Sequence, residues 1–249
     1  MMFNAFRSEL IKLRTTRAPK VVLACAVFLP MIIQVLISMF GYKDGVVGST
    51  VISNMSGSGP LVALLLGVVG VLCSTQEYSQ GTIRITLVAI PHRFTVLMAK
   101  VLTMLVVSCT AIATYLAGGL ALSQLVMNAR GLKFELIGSY GRIIIGFFVL
   151  VPLLSILGLS LGIIFKSPPG AISAVLLWPT LIEGMIFGLL SVALNKNYFR
   201  WAPVQNGFQL VRDVMDHELN SWGIATAYFA SFVSVFVVIS FISFMKRDA

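Results

Sequence analysis

Side chains able to do chemistry are sparse in this chain of 249 residues, which holds nine acids, two histidines and three cysteines. His92 and His217 are far apart and join no ligand cluster. Cys25, Cys73 and Cys109 each sit inside an apolar stretch, are odd in number and lack CxxC spacing. They read as buried, reduced thiols rather than as disulfides or metal ligands. No Ser/His/Asp or Cys/His arrangement is apparent, and no GxxxxGK[ST] loop offers the backbone amides that nucleotide phosphates need. The sequence therefore predicts no catalytic residue, no metal site and no cofactor in this chain, which is not expected to hydrolyse ATP by itself.

Two places still invite a chemical reading. Glu183 lies near the middle of an apolar stretch, where a carboxylate costs on the order of 3 kcal/mol or more unless it is paired, protonated or facing water. It is expected either to face a transport pathway or a partner chain, or to serve as a structural acid. The second place is the run from Glu77 through Gly81, Thr82, Arg84, Leu87 and Pro91 to Arg93, with Lys100 beyond it. Ile83, Leu87 and Ile90 share one helical face, yet Ile83, Ile85 and Leu87 also alternate with Arg84 and Thr86 as a strand does. Helix and strand both stay open. In either form the run is too rich in Ile and Leu for a loop that touches only water, so a partner groove or the membrane surface is expected to cover it.

The elements that must position these residues follow from composition. With 58% hydrophobic residues, 11% charged residues and a mean hydropathy of +0.96, the chain has more apolar surface than a soluble domain of its size can bury. Six apolar stretches are the expected bilayer spans: about 21–40, 60–75, 96–127, 142–165, 171–194 and 222–245. The third exceeds what a bilayer requires and should tilt or project into water. The second is the weakest, because the Gly/Ser-rich run at 53–59 could end a loop or begin a broken helix. Ahead of them, Phe3, Phe6, Leu10 and Leu13 fall on one helical face, flanked by Arg7 and Arg14 with Lys12 pointing away, which predicts an amphipathic helix over residues 1–19 at the headgroup boundary. Pro30, Pro152 and Pro179 lie inside spans and favour kinks. Gly158/Gly162 and Gly184/Gly188 have the spacing of close helix contacts, within the chain or between copies.

The net charge of +9 does not point to nucleic acid, because the basic residues cluster at the ends of apolar segments rather than along a groove. Most of them fall on the side of the N-terminus if both termini are cytoplasmic. The expectation is an all-α polytopic membrane protein of one domain, 1–249. Six transmembrane helices follow an N-terminal amphipathic interfacial helix. A cytoplasmic loop spans 76–95, and an extracellular segment spans 195–220.

An acid closing the second span, then Gly-Thr, an arginine, a short apolar run, a proline, a basic residue and a lysine resemble the first cytoplasmic loop of type-2 ATP-binding-cassette (ABC) transporter permeases of bacterial exporters. The basic amphipathic start, the six spans and the long segment before the last one are similar as well. The resemblance implies that this loop is a coupling helix seated in an ATPase subunit, with Glu77, Gly81, Thr82, Arg84, Leu87, Pro91, Arg93 and Lys100 as coupling positions. It also implies short re-entrant helices between the fifth and sixth spans. Two cytoplasmic ATPase subunits carrying ATP and Mg, a second permease copy or paralogue, and membrane lipid are the implied partners. Export of an amphipathic drug, antimicrobial peptide or lipid-like molecule, with a role in resistance or immunity, is the implied activity. An ATP-independent secondary transporter or channel, and a membrane scaffold or sensor, are the alternatives. A free-standing transporter is expected to carry ionisable residues within its spans or two matching broken-helix repeats, and only Glu183 qualifies.

Overall fold

A computed structural model describes residues 2–42, 46–90, 92–135, 140–212 and 221–246. Pro91, His217, the tail from 247 onward and the 213–220 part of the segment before the last span lie outside the described residues. The described chain is almost wholly helical. Helix α1 (Met2–Thr15) leads into α2 (Arg17–Phe40), α3 (Gly48–Gly57), α4 (Gly59–Ser79), α5 (Ile83–Ala89), α6 (Arg93–Ala129) and α7 (Gly141–Phe165). Then come α8 (Pro168–Leu177), a π-turn at Trp178–Ile182, α9 (Glu183–Leu194), a 3-10 turn at Phe199–Trp201, α10 (Pro203–Gln209) and α11 (Trp222–Lys246).

Six of these units are long and apolar enough to cross a membrane: α2, α4, α6, α7, the α8–α9 unit and α11. The chain is an all-α polytopic membrane protein. Because a bilayer leaves no water for exposed amides, each span satisfies its backbone internally as a helix. The third span runs for 37 residues, about 55 Å at 1.5 Å per residue and well beyond the hydrocarbon core. The weak second stretch resolves into a broken helix, with α3 stopping at Gly57 and α4 restarting at Gly59. One feature escaped the sequence reading. Two-residue strands β1 (Val46–Val47) and β2 (Phe134–Glu135) pair in parallel and join the loops after α2 and α6.

Helices α4 and α7 form the centre, and α2, α8–α9 and α11 surround them with most of their apolar surface facing outward. The central contact depends on missing side chains. A Cβ on Gly158 would sit 2.0 Å from the Gly67 carbonyl oxygen, and one on Gly70 would sit 2.1 Å from that of Ser155. Only glycine lets the two backbones approach this closely. The Gly158/Gly162 pair is thus a seam within the chain, whereas a Cβ on Gly184 would meet nothing within 4 Å. Around this seam, the packed core includes Leu66, Val69, Phe147, Leu150 and Leu154.

Candidate functional site

At the end of the bundle where α1 and α5 lie, four charged side chains close a ring. Glu9 and Lys12 are three residues apart on α1 and so share a face. Glu77 comes from the last turn of α4, and Lys100 from the second turn of α6. Lys12 Nζ donates to Glu9 Oε1 at 2.6 Å and also to Glu77 Oε1. Lys100 Nζ donates to Glu9 Oε2 at 2.7 Å and lies 2.9 Å from Glu77 Oε2, an ion contact off hydrogen-bonding angle. Charges therefore alternate around the circuit, which is neutral as a whole.

The ring is short of water. Glu9, Glu77 and Lys100 are buried, Lys100 being 2% exposed, while Lys12 is half-exposed. Lys100 lies seven residues inside α6, about 10 Å along a helix axis, where an ammonium needs counter-charges. It finds two, and its second hydrogen bond goes to the Cys73 carbonyl at 3.2 Å. Cys73 itself is a free, buried thiol beside the ring.

Residues singled out from the sequence divide among several roles here. Glu77 and Lys100 belong to the ring. Gly81 makes the turn from α4 to α5 with φ +65, a conformation that suits glycine, and Thr82 precedes α5 as its half-buried N-cap. The 83–89 run is a helix and not a strand. Ile83 is buried and Leu87 half-buried against the bundle, so the residues with helical spacing find the core. Arg84 points outward, as do Ile85 and Val88, which are 71% and 85% exposed. Thr86 lies 3.4 Å from Lys12 Nζ, linking α5 to the ring. Arg93 donates to the Phe244 carbonyl at 3.0 Å, in the last turn of α11, where a cation suits the free carbonyls. A cavity of about 490 Å3 lies among α1, the end of α4 and α5, with Ser8, Glu9, Lys12, Gln76 and Thr86 in its wall.

Sequence reasoning missed half of the ring. It put the working face of α1 at Phe3, Phe6, Leu10 and Leu13, and Lys12 on the far side. In the fold, Ala5, Glu9 and Leu13 seat against the bundle, Phe6 and Leu10 flank the contact, and Phe3, Arg7 and Arg14 are exposed. Lys12 turns inward because two carboxylates await it. The available signal was Glu9, the single acid of a basic helix, on the same stripe as Ala5 and Leu13.

Glu183 belongs to a different place, away from the ring. It begins α9 directly after the π-turn and is 1% exposed. Its carboxylate accepts from Trp178 Nε1 at 2.9 Å and from the backbone N–H groups of Val204 and Gln205, both at 3.0 Å. Its partners within the chain are thus the π-turn and α10. Among the described residues, no group of three or more His, Cys, Asp or Glu side chains could hold a metal ion.

No protein-family model matches the chain, and no curated protein matches its sequence.

Proposed function

We propose that the chain is the membrane-spanning permease subunit of an ATP-driven ABC exporter, with ATP hydrolysed on separate subunits at the α1/α5 end, which is then cytoplasmic. One observation carries this reading. Helix α5 packs one face on the bundle and holds Ile85 and Val88 out on the other, an apolar ridge flanked by Arg84. Such a ridge at a membrane–water boundary calls for a groove on another protein.

The ring supplies what force transmission needs. It ties α1, α4 and α6 together beside α5, so a push on α5 reaches the second and third spans through ion pairs rather than through a slack loop. Contiguous packed and charged contacts of this kind are how displacement travels through a bundle. A second copy or paralogue completes the pathway, and cargo is amphipathic or hydrophobic, in keeping with spans that offer few ionisable groups.

A photo-crosslinking residue at Val88 in the native membrane tests the reading. The expected adduct is a subunit that also labels with a photoreactive ATP analogue, and Ile85→Glu abolishes it. Transport by the purified chain without nucleotide or companion overturns the proposal, as does a Val88 adduct that binds no ATP.

A further inference from the structure

Helix α10 is held by a residue twenty positions before it. Its own N-cap, Ala202, has no side chain with which to cap. Glu183 does the capping instead, accepting from the backbone N–H groups of the helix's second and third residues, Val204 and Gln205, where a carboxylate is favoured by both hydrogen bonding and the helix dipole. The Gln205 side chain returns the contact, its Nε2 donating to the Pro179 carbonyl at 2.9 Å.

The π-turn at Trp178–Ile182 makes this geometry possible. Its extra residue rotates everything after it by about 100° relative to a regular helix. Glu183 is thereby aimed at α10, and the Trp178 indole N–H, one π-turn earlier, points at the same carboxylate.

The other end of α10 tells a different story. Gln209 is buried to 1% exposure, yet among the described residues neither its amide nitrogen nor its amide oxygen has a partner. An unpaired buried amide costs free energy. The seat itself is tight: the Gly207 backbone abuts the Phe229 ring of α11, and Gly146 of α7 abuts the Leu210 carbonyl. The helix thus combines a strong charged attachment at its start with an unfavourable burial at its end, the balance expected of an element with two positions.

We propose that α10 is a movable plug at the bundle end opposite the ion ring, latched by Glu183 to the π-turn of the fifth span and biased by Gln209 to leave its seat when that latch breaks. Glu183 is a positioning residue in this scheme. The latch is a property of this chain alone and stands or falls independently of an ATPase partner.

The test uses the full chain in lipid nanodiscs, where both ends are open to solvent, with Cys25, Cys73 and Cys109 replaced by serine or alanine. Val204→Cys places a reporter on a buried side chain of α10 while leaving its backbone N–H in place, and Ala63→Cys places a control in the core. Labelling by a water-soluble maleimide at Val204→Cys is expected to be slow, and about tenfold or more faster with Glu183→Ala, which removes all three acceptor bonds. Glu183→Gln, which keeps a single acceptor oxygen, and Trp178→Phe, which removes one donor, should fall between. Gln209→Met should slow labelling about threefold or more in the Glu183→Gln background. Throughout, the Ala63→Cys control stays unreactive. If Glu183→Ala exposes the control, Glu183→Gln and Trp178→Phe decide. Reporter rates within about twofold of the parent in these variants, with the core protected, overturn the latch. Unchanged or faster labelling with Gln209→Met overturns the bias.

Discussion

Replacing Lys100 with methionine removes one of the two cations from the ring, and its bond to the Cys73 carbonyl, while keeping most of the apolar stem. Glu9 and Glu77 then share Lys12 alone, leaving a net charge of −1 where three of the four original members were buried. Breaking a buried pair from one side costs about 3–5 kcal/mol, because the surviving charge stays desolvated. For a chain of this length 1 kcal/mol corresponds to roughly 2–4 °C, so melting in detergent, followed by tryptophan fluorescence, should fall by roughly 6–20 °C. Geometry adds a sharper expectation. Adding Glu9→Gln to Lys100→Met leaves the Lys12–Glu77 pair intact and the site neutral, so the double variant should recover about 2 kcal/mol or more of the loss. The single-variant loss should persist in about 0.5 M salt, because buried pairs are poorly screened. A shift of Lys100→Met under about 2 °C, or a double variant no more stable than the single, refutes a buried, mutually compensating ring.

Gly158→Leu should abolish recoverable folded protein, since its Cβ alone would overlap the Gly67 carbonyl, whereas Gly184→Leu, which meets nothing, should shift stability by about 0.5 kcal/mol or less; size-exclusion with a melting curve separates the two. Arg130 donates to the carbonyls of Ser38 and Tyr42 at 2.8 and 2.7 Å, closing the end of α2 from the end of α6. Arg130→Ala should therefore lose about 1.5–3 kcal/mol and speed hydrogen exchange in the last turn of α2. Tyr115→Phe removes a buried hydroxyl that donates to the Met55 carbonyl at 3.1 Å and contacts Ser58 at the break between α3 and α4. It should lower stability by about 1 kcal/mol, read from the same melting curves.

How much of this was legible beforehand depends on the range of the interaction. The spans are visible because each needs about 20 apolar residues in a row, a property of contiguous sequence. Gly81 as a turn and the Ile83/Leu87/Ile90 face are local too, although periodicity over so short a run could not separate helix from strand. The helix prevails because it turns Ile83, Leu87 and Ile90 to the bundle and leaves Ile85 outside, while a strand would put Ile85 on the face of Ile83 and Leu87 and send Ile90 to the other. Glu77 and Lys100 stood out by resemblance, but nothing local joins them to Glu9, which lies 91 positions from Lys100.

Sequence by itself settled the solvent of this protein and its architecture: lipid, six crossings and a basic amphipathic start, because hydropathy and helical period are summed along the chain. Tertiary structure alone decided which charges meet. A ring drawn from α1, α4 and α6, a carboxylate capping a helix twenty residues on, and a backbone seam at Gly158 all arise between segments remote in sequence. Their partners are chosen by burial, which leaves a charged or polar group no acceptable neighbour except its complement.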